Sequence, residues 1–193
     1  GVTLNEDALA RAYGSGKYGI REALQRLAVE GLVTRRPRVG TLVKELSIVD
    51  LRHVFECRVL LESHCAALAV FRASAGQIEM VRRAYDGVEA VIAARDWRTL
   101  VLMDQAFHRE LAGGTGNTHL VQMVSALHNN ALRFWHYGLS FRPADALLWE
   151  VDQHMRVVEA LEARDAEAAQ HSMRLVLGDF PKSIESLLNT CLE

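Results

Sequence analysis

Ile20-Arg-Glu-Ala-Leu-Gln-Arg-Leu-Ala-Val-Glu-Gly31-Leu-Val-Thr-Arg-Arg-Pro-Arg-Val-Gly40-Thr-Leu-Val43 is the stretch on which the fold turns. Its first part has helical periodicity: Ile20, Leu24, Leu27 and Ala28 fall on one face, with Arg21, Gln25 and Arg26 off it. Gly31 stands where a helix ends in a left-handed turn. Two short β-prone runs follow, Leu32–Thr34 and Thr41–Val43. Between them Arg35-Arg36-Pro37-Arg38-Val39-Gly40 forms a basic tip of turn residues. A helix followed by a basic hairpin predicts a winged helix-turn-helix. Its helix would enter the DNA major groove, and its hairpin would reach the flanking backbone or minor groove.

Upstream, Asn5 is placed to cap a helix from Glu6 to Tyr13, and Gly14-Ser15-Gly16 reads as a tight turn before a second helix that starts near Lys17. This puts Lys17, Tyr18 and Arg21 at the start of the recognition helix. Arg35, Arg36, Arg38 and Gly40 lie on the wing, and together these seven are the candidate DNA contacts. Charge is distributed in the same sense. Residues 1–46 carry eight Lys/Arg against five Asp/Glu, net +3, and residues 47–193 carry fourteen against nineteen, net −5. A small basic module joined to a larger acidic one predicts that only the first meets nucleic acid.

From Ser47 onward helix follows helix, at about 47–72, 75–94, 96–112, 117–140, 144–163 and 165–189, with Gly178 and Pro181 expected to kink the last. The fold class expected is therefore all-α apart from the wing hairpin, with a winged helix-turn-helix over 1–46 and an antiparallel six-helix bundle over 47–193. No apolar run approaches the roughly 18 residues of a membrane span, and no secretory signal is legible. Cys57 and Cys65 sit eight residues apart on one expected helix, too far to bridge. These features predict a reduced, cytoplasmic protein.

Leu4-Asn5-Glu6 through Leu9-Ala10, Ile20-Arg21-Glu22-Ala23-Leu24, Leu27, Glu30-Gly31-Leu32-Val33 and Arg36-Pro37…Gly40…Val43 resemble the winged-helix domain of GntR-family transcription regulators. In that family a further helix precedes the point where this chain begins, so the resemblance implies that residue 1 is not the natural start. The turn Ser15-Gly16-Lys17-Tyr18-Gly19-Ile20 also departs from the family's usual Val-Ser-Arg-Thr-Pro-Val, which bears on the operator sequence. The second part resembles the FCD effector-binding domain of the FadR-type branch through Arg58-Val-Leu-Leu-Glu62, Asp104-Gln-Ala-Phe-His108, His154 with Asp165 eleven residues on, and Met173-Arg174. Six helices look most like the VanR-like subgroup.

Polar residues interrupt the core-facing stripes at a few places. Asp104 and His108 share one helix face, His154 lies between Val151, Val158 and Leu161, and Arg58 lies among Leu51, Val54, Leu61 and Cys65. Taken alone, these fit an intrahelical Asp–His hydrogen bond, a satisfied core histidine and an Arg58–Glu62 pair. The resemblance implies more, because many relatives hold a divalent metal with one Asp and three His. Asp104, His108 and His154 match three of those ligands, and the fourth position falls on Val176, which cannot ligate. His128 and His136 on the fourth bundle helix are candidate stand-ins. A three-ligand site with open positions suits Zn²⁺, Ni²⁺ or Mn²⁺, and a metal-free pocket is the competing outcome.

The resulting reading is a homodimeric, ligand-responsive transcription regulator that binds a double-stranded operator and senses a small organic acid. Arg58, Asp104, His108, Arg133 and His154 are its candidate effector contacts. Two alternatives remain open. One is a DNA-binding protein whose bundle only dimerises, and the other is a metal-dependent hydrolase, for which no separate general base is evident.

Overall fold

A computed structural model describes residues 1–190, with side chains for all but Tyr137 and residues 179–190. The chain forms two compact units, Gly1–Ser47 and a second from Ile48 onward.

The first unit contains β1 (Thr3–Leu4), α1 (Glu6–Ala12), α2 (Lys17–Val29), β2 (Val33–Arg36) and β3 (Gly40–Val43). Asn5 caps α1 by accepting the Ala8 backbone N–H at 2.9 Å, and Glu6 and Asp7 place negative charge in its first turn, as the helix dipole favours. Gly31 adopts φ 76° just past α2, the left-handed conformation expected there. The β2–β3 hairpin pairs Val33 with Val43 and Arg36 with Gly40, and its tip turns through Arg38 (φ 65°) and Gly40 (φ 109°). The sequence did not foretell β1, a third antiparallel strand that pairs Thr3 with Leu42 and gives the sheet order β1-β3-β2. Ile20 and Leu24 of α2 and Val33 of β2 form the buried centre, so the opposite face of α2 is left to solvent.

The second unit is helical among its described residues: α3 (Ile48–Arg72), α4 (Ala75–Arg83), α5 (Val88–Ala93), α6 (Trp97–Gly113), α7 (Thr118–Leu139), α8 (Ala144–Glu162) and α9 (Ala166–Thr190). Three of these starts are set by capping side chains. Ser74 makes a capping box with Gln77, Asp96 accepts from Thr99, and Asn117 accepts from His119 and Leu120. The segment expected as one helix over 75–94 is two, because the chain turns at Gly87, whose φ of 77° is open to glycine and strained for other residues. The last helix runs as a single span through Gly178 and Pro181, where a kink was expected; Pro181 lies outside the residues with described side chains. α3 packs along α9, α8 along α9 and α6 along α7, around a core that includes Leu51, Phe55, Phe107, Leu111, Phe134, Val157, Leu161 and Met173. Arg164, itself at φ 57°, donates to Val70 O at 2.5 Å and Ala73 O at 3.1 Å, satisfying carbonyls at the end of α3. Among the described residues no helix is long and apolar enough to cross a membrane.

Candidate functional site

Within this apolar core lies a cluster of charged and polar side chains. Asp104 and His108 stand one turn apart on α6, His154 faces them from α8 and His128 from α7, each about 2% exposed or less. His108 Nε2 and His154 Nε2 each lie 3.6 Å from Asp104 Oδ1 and 3.4 Å from each other. His128 Nε2 lies 3.6 Å from the other oxygen, Oδ2, and Tyr85 Oη donates to Oδ1 at 2.8 Å. Asp104, His108 and His128 each bring one ligand atom within 4.8 Å of the other two.

The outer nitrogens of the rings fix their tautomers. His154 Nδ1 is 2.7 Å from the Glu150 backbone carbonyl, which only accepts, so Nδ1 carries the hydrogen and Nε2 turns a lone pair inward. His108 Nδ1 is 2.5 Å from Glu62 Oε2, a close ion-pair contact that lacks the alignment of a hydrogen bond, and Glu62 likewise only accepts. His128 is the reverse case. Arg58 Nη2 lies 3.4 Å from its Nδ1, and a guanidinium only donates, so the hydrogen of a neutral His128 sits on Nε2 and points at Asp104. That contact is too long for a hydrogen bond, and Asp104 Oδ2 and His128 Nε2 are both buried without a hydrogen-bond partner.

The electrostatics follow from burial and carboxylates. Burial pulls the His108 imidazole down, but Glu62 and Asp104 outweigh it and push it up to about 9. Burial alone would raise Asp104, yet the imidazoles of His108, His128 and His154 hold it well below the usual carboxylate range. Glu62 is likewise held at about 2, burial being overcome by Arg58 and His108. Burial lowers His154 to about 4, and burial with the adjacent Arg58 lowers His128 to about 3. Asp104 and Glu62 thus call for positive charge at this point; in metal-free protein His108 carries it, and a bound ion would displace the proton from its Nε2.

A divalent metal fits that requirement. Tetrahedral bonds of roughly 2.0–2.1 Å separate donor atoms by roughly 3.3–3.4 Å. The triangle of Asp104 Oδ1, His108 Nε2 and His154 Nε2 has edges of 3.4–3.6 Å. The adjoining cavity, lined by Arg58, Trp135, Glu150, Val176 and Leu177 among others, measures about 10 Å³, the room of one water or one ion. Val176 presents only methyl groups to it. His128 faces Asp104, whereas His136 is exposed.

Of the expected effector contacts, Arg58 lines this cavity. It is 1% exposed, bonds Glu62 at 2.6 Å and lies over the Phe55 ring at 5.0 Å. Arg133 is not among the cavity-lining residues and pairs with Asp50 at 3.1 Å. Two members of the cluster went unread in the sequence. Helical spacing presents Glu62 only as the partner of Arg58, yet it also contacts His108 from another helix. Tyr85 continues the buried stripe of Ile78 and Val81, and a buried tyrosine hydroxyl seeks a partner, which was the available signal.

On the first unit, Tyr18 is 81% exposed and Arg35, Arg36, Arg38 and Gly40 lie on the exposed wing. Lys17 Nζ meets Asp7 at 2.7 Å, and Arg21 Nε meets Glu6 at 2.8 Å.

Comparison with known proteins agrees with both parts. The profile described as "Bacterial regulatory proteins, gntR family" matches residues 1–43, and that of the FCD domain matches residues 53–179. The chain is 29% identical over 173 residues to the probable D-xylose utilization operon transcriptional repressor of Paenarthrobacter nicotinovorans, covering 90% of this chain and 75% of that one. It is also 29% identical over 180 residues to the transcriptional repressor GlaR of Escherichia coli, covering 89% and 80%. Among solved structures, E. coli McbR/YncC superposes with a TM-score of 0.88 at 19% identity, covering 97% of this chain and 89% of that one. A GntR regulator from Rhodococcus superposes with a TM-score of 0.77 at 22% identity, covering 96% and 88%. With an FCD match over well more than half its length behind a gntR-type winged helix, the chain belongs to the GntR family of bacterial transcription regulators, DNA-binding proteins rather than enzymes, in the branch that carries an FCD domain.

Proposed function

We propose that the chain is a ligand-responsive regulator that works as a cytoplasmic homodimer on a two-fold-related operator and senses a small organic acid through the FCD bundle. Lys17, Tyr18 and Arg21 would face the major groove, and Arg35, Arg36, Arg38 and Gly40 the flanking backbone. Asp104, His108 and His154 would hold a divalent metal, Zn²⁺, Ni²⁺ or Mn²⁺. His128 would then steady Asp104 from its second oxygen, as an outer-sphere partner does. The observation that carries this reading is the convergence of three buried potential ligand atoms at 3.4–3.6 Å. A bound metal would supply a Lewis-acidic position for an effector carboxylate, and Arg58 a charge-assisted hydrogen bond to the same group. The relative named for D-xylose utilization makes sugar-derived acids a reasonable first panel.

One observation favours a second reading, in which the bundle dimerises without an organic effector. The cavity of about 10 Å³ is the size of an ion or a water, smaller than an organic acid. The two readings separate in one experiment. Purified protein is stripped with a chelator and titrated calorimetrically with Zn²⁺, Ni²⁺ or Mn²⁺; its melting temperature is then followed across mono- and dicarboxylates. One metal per chain, lost in His154→Gln, together with stabilisation by at least one acid, is the expected outcome. Metal binding without stabilisation by any acid would remove the effector, and no metal binding would remove the metal.

A further inference from the structure

Two acidic residues in the first turn of α1 grip two basic residues in the first turns of the recognition helix, and the two grips differ chemically. Asp7 meets the Lys17 ammonium at 2.7 Å, a point charge with no fixed direction. Glu6 meets Arg21 through Nε at 2.8 Å. A guanidinium has two donor edges. With Nε engaged by Glu6, the terminal edge of Nη1 and Nη2 stays free, and that edge matches the O6 and N7 acceptors of guanine in the major groove. Glu22, the other carboxylate near Arg21 on α2, is engaged by Arg26 at 2.8 Å and does not compete. Glu6 is also the more buried partner, its side chain 29% exposed against 62% for Arg21.

We propose that Glu6 is a positioning residue for sequence reading: it holds Arg21 by Nε so that the terminal edge of the guanidinium is presented to a guanine. This rests on the reading of Arg21 as a groove-facing residue. Asp7, by contrast, lowers the positive charge of the interface without directing it.

The sign of a mutational effect separates the two roles. A carboxylate close to phosphates repels DNA of every sequence, so removing one that only neutralises tightens all binding. Removing one that positions a reader loosens the specific site alone. The test uses the full-length protein and a site obtained by in vitro selection from random duplexes, with binding followed by fluorescence anisotropy. Glu6→Gln should lose about tenfold in affinity for the selected site, while binding to unrelated duplex is unchanged or tighter. Replacing the guanine read by Arg21 with 7-deazaguanine, which lacks the N7 acceptor, should weaken wild type and scarcely affect Glu6→Gln. The Glu6→Gln loss should vanish in an Arg21→Ala background, and Asp7→Asn should tighten both DNAs. Glu6→Gln that tightens both DNAs alike would overturn the positioning role while leaving Arg21 as a reader. Arg21→Ala with wild-type affinity for the selected site would overturn the groove assignment on which it rests.

Discussion

The molecule contains the same ion pair in two settings. On the recognition helix Glu22 and Arg26 stand one turn apart, joined at 2.8 Å, with side chains 51% and 75% exposed. On α3 Arg58 and Glu62 stand one turn apart, joined at 2.6 Å, with both side chains 1% exposed. Spacing and residue types are alike, the order of acid and base along the helix is reversed, and the exposure to water differs most. Water screens the first pair and leaves it worth little. The second pair has given up its hydration and is held by mutual attraction, by His108 on Glu62 and by Phe55 beneath the guanidinium. The exposed pair can open to solvent or to an incoming polyanion, whereas the buried pair is committed to its neighbours.

The comparison breaks most visibly if the buried pair is cut. Glu62→Ala should destabilise the protein by about 3–5 kcal/mol, since Arg58 and His108 lose their counter-charge in a dry site. Urea unfolding measures this, and a loss under about 1 kcal/mol would show that water reaches the cluster. Titration gives the next largest effect, in metal-free protein. His108, raised to about 9, stabilises fully below the unfolded value near 6.5 and loses that contribution as pH rises through 9. His154 and His128, lowered to about 4 and 3, remain neutral in the folded state, so stability falls as pH drops below 6.5. The melting temperature should therefore peak near pH 6.5 and fall by roughly 6–12 °C by pH 9. Saturating metal should remove the alkaline fall, and a flat profile without metal would contradict the buried imidazolium.

Smaller effects sharpen the exposed side of the comparison. Asn5→Ala removes the acceptor of the Ala8 N–H and should cost about 1 kcal/mol of the first unit's stability, read by hydrogen exchange in α1. Glu22→Gln should alter stability by less than about 0.5 kcal/mol in the same measurement. A larger loss would mean that this pair does more than its exposure implies.

Both halves of the fold were legible because each rests on local signals. Asn5 and Gly31 mark helix ends, the Ile20–Leu24 stripe marks a buried face, and the Arg-Pro-Arg tip marks a turn. Strand β1 was not legible, since two residues carry no period and acquire strand geometry only by pairing with β3. The break at Gly87 was signalled by Asp86-Gly87 but masked by the apolar residues continuing on either side. In the site, the residues that share a helix were visible by spacing: Asp104 with His108, and Arg58 with Glu62. Contacts between helices, such as Glu62 with His108 and Tyr85 with Asp104, depend on bundle register, which no single segment encodes.

The cluster's inner atoms come from the middle of helices rather than from loops, and the space beside them is about 10 Å³. Where exchange with solvent needs packed helices to part, it is set by motions that are slow and seldom. Occupancy of this centre would then have a memory. Once filled, it would lag behind falling supply outside, and the regulator would report an average over past conditions rather than an instantaneous concentration. The rate constant of release, more than the affinity, would set how quickly a gene under its control forgets.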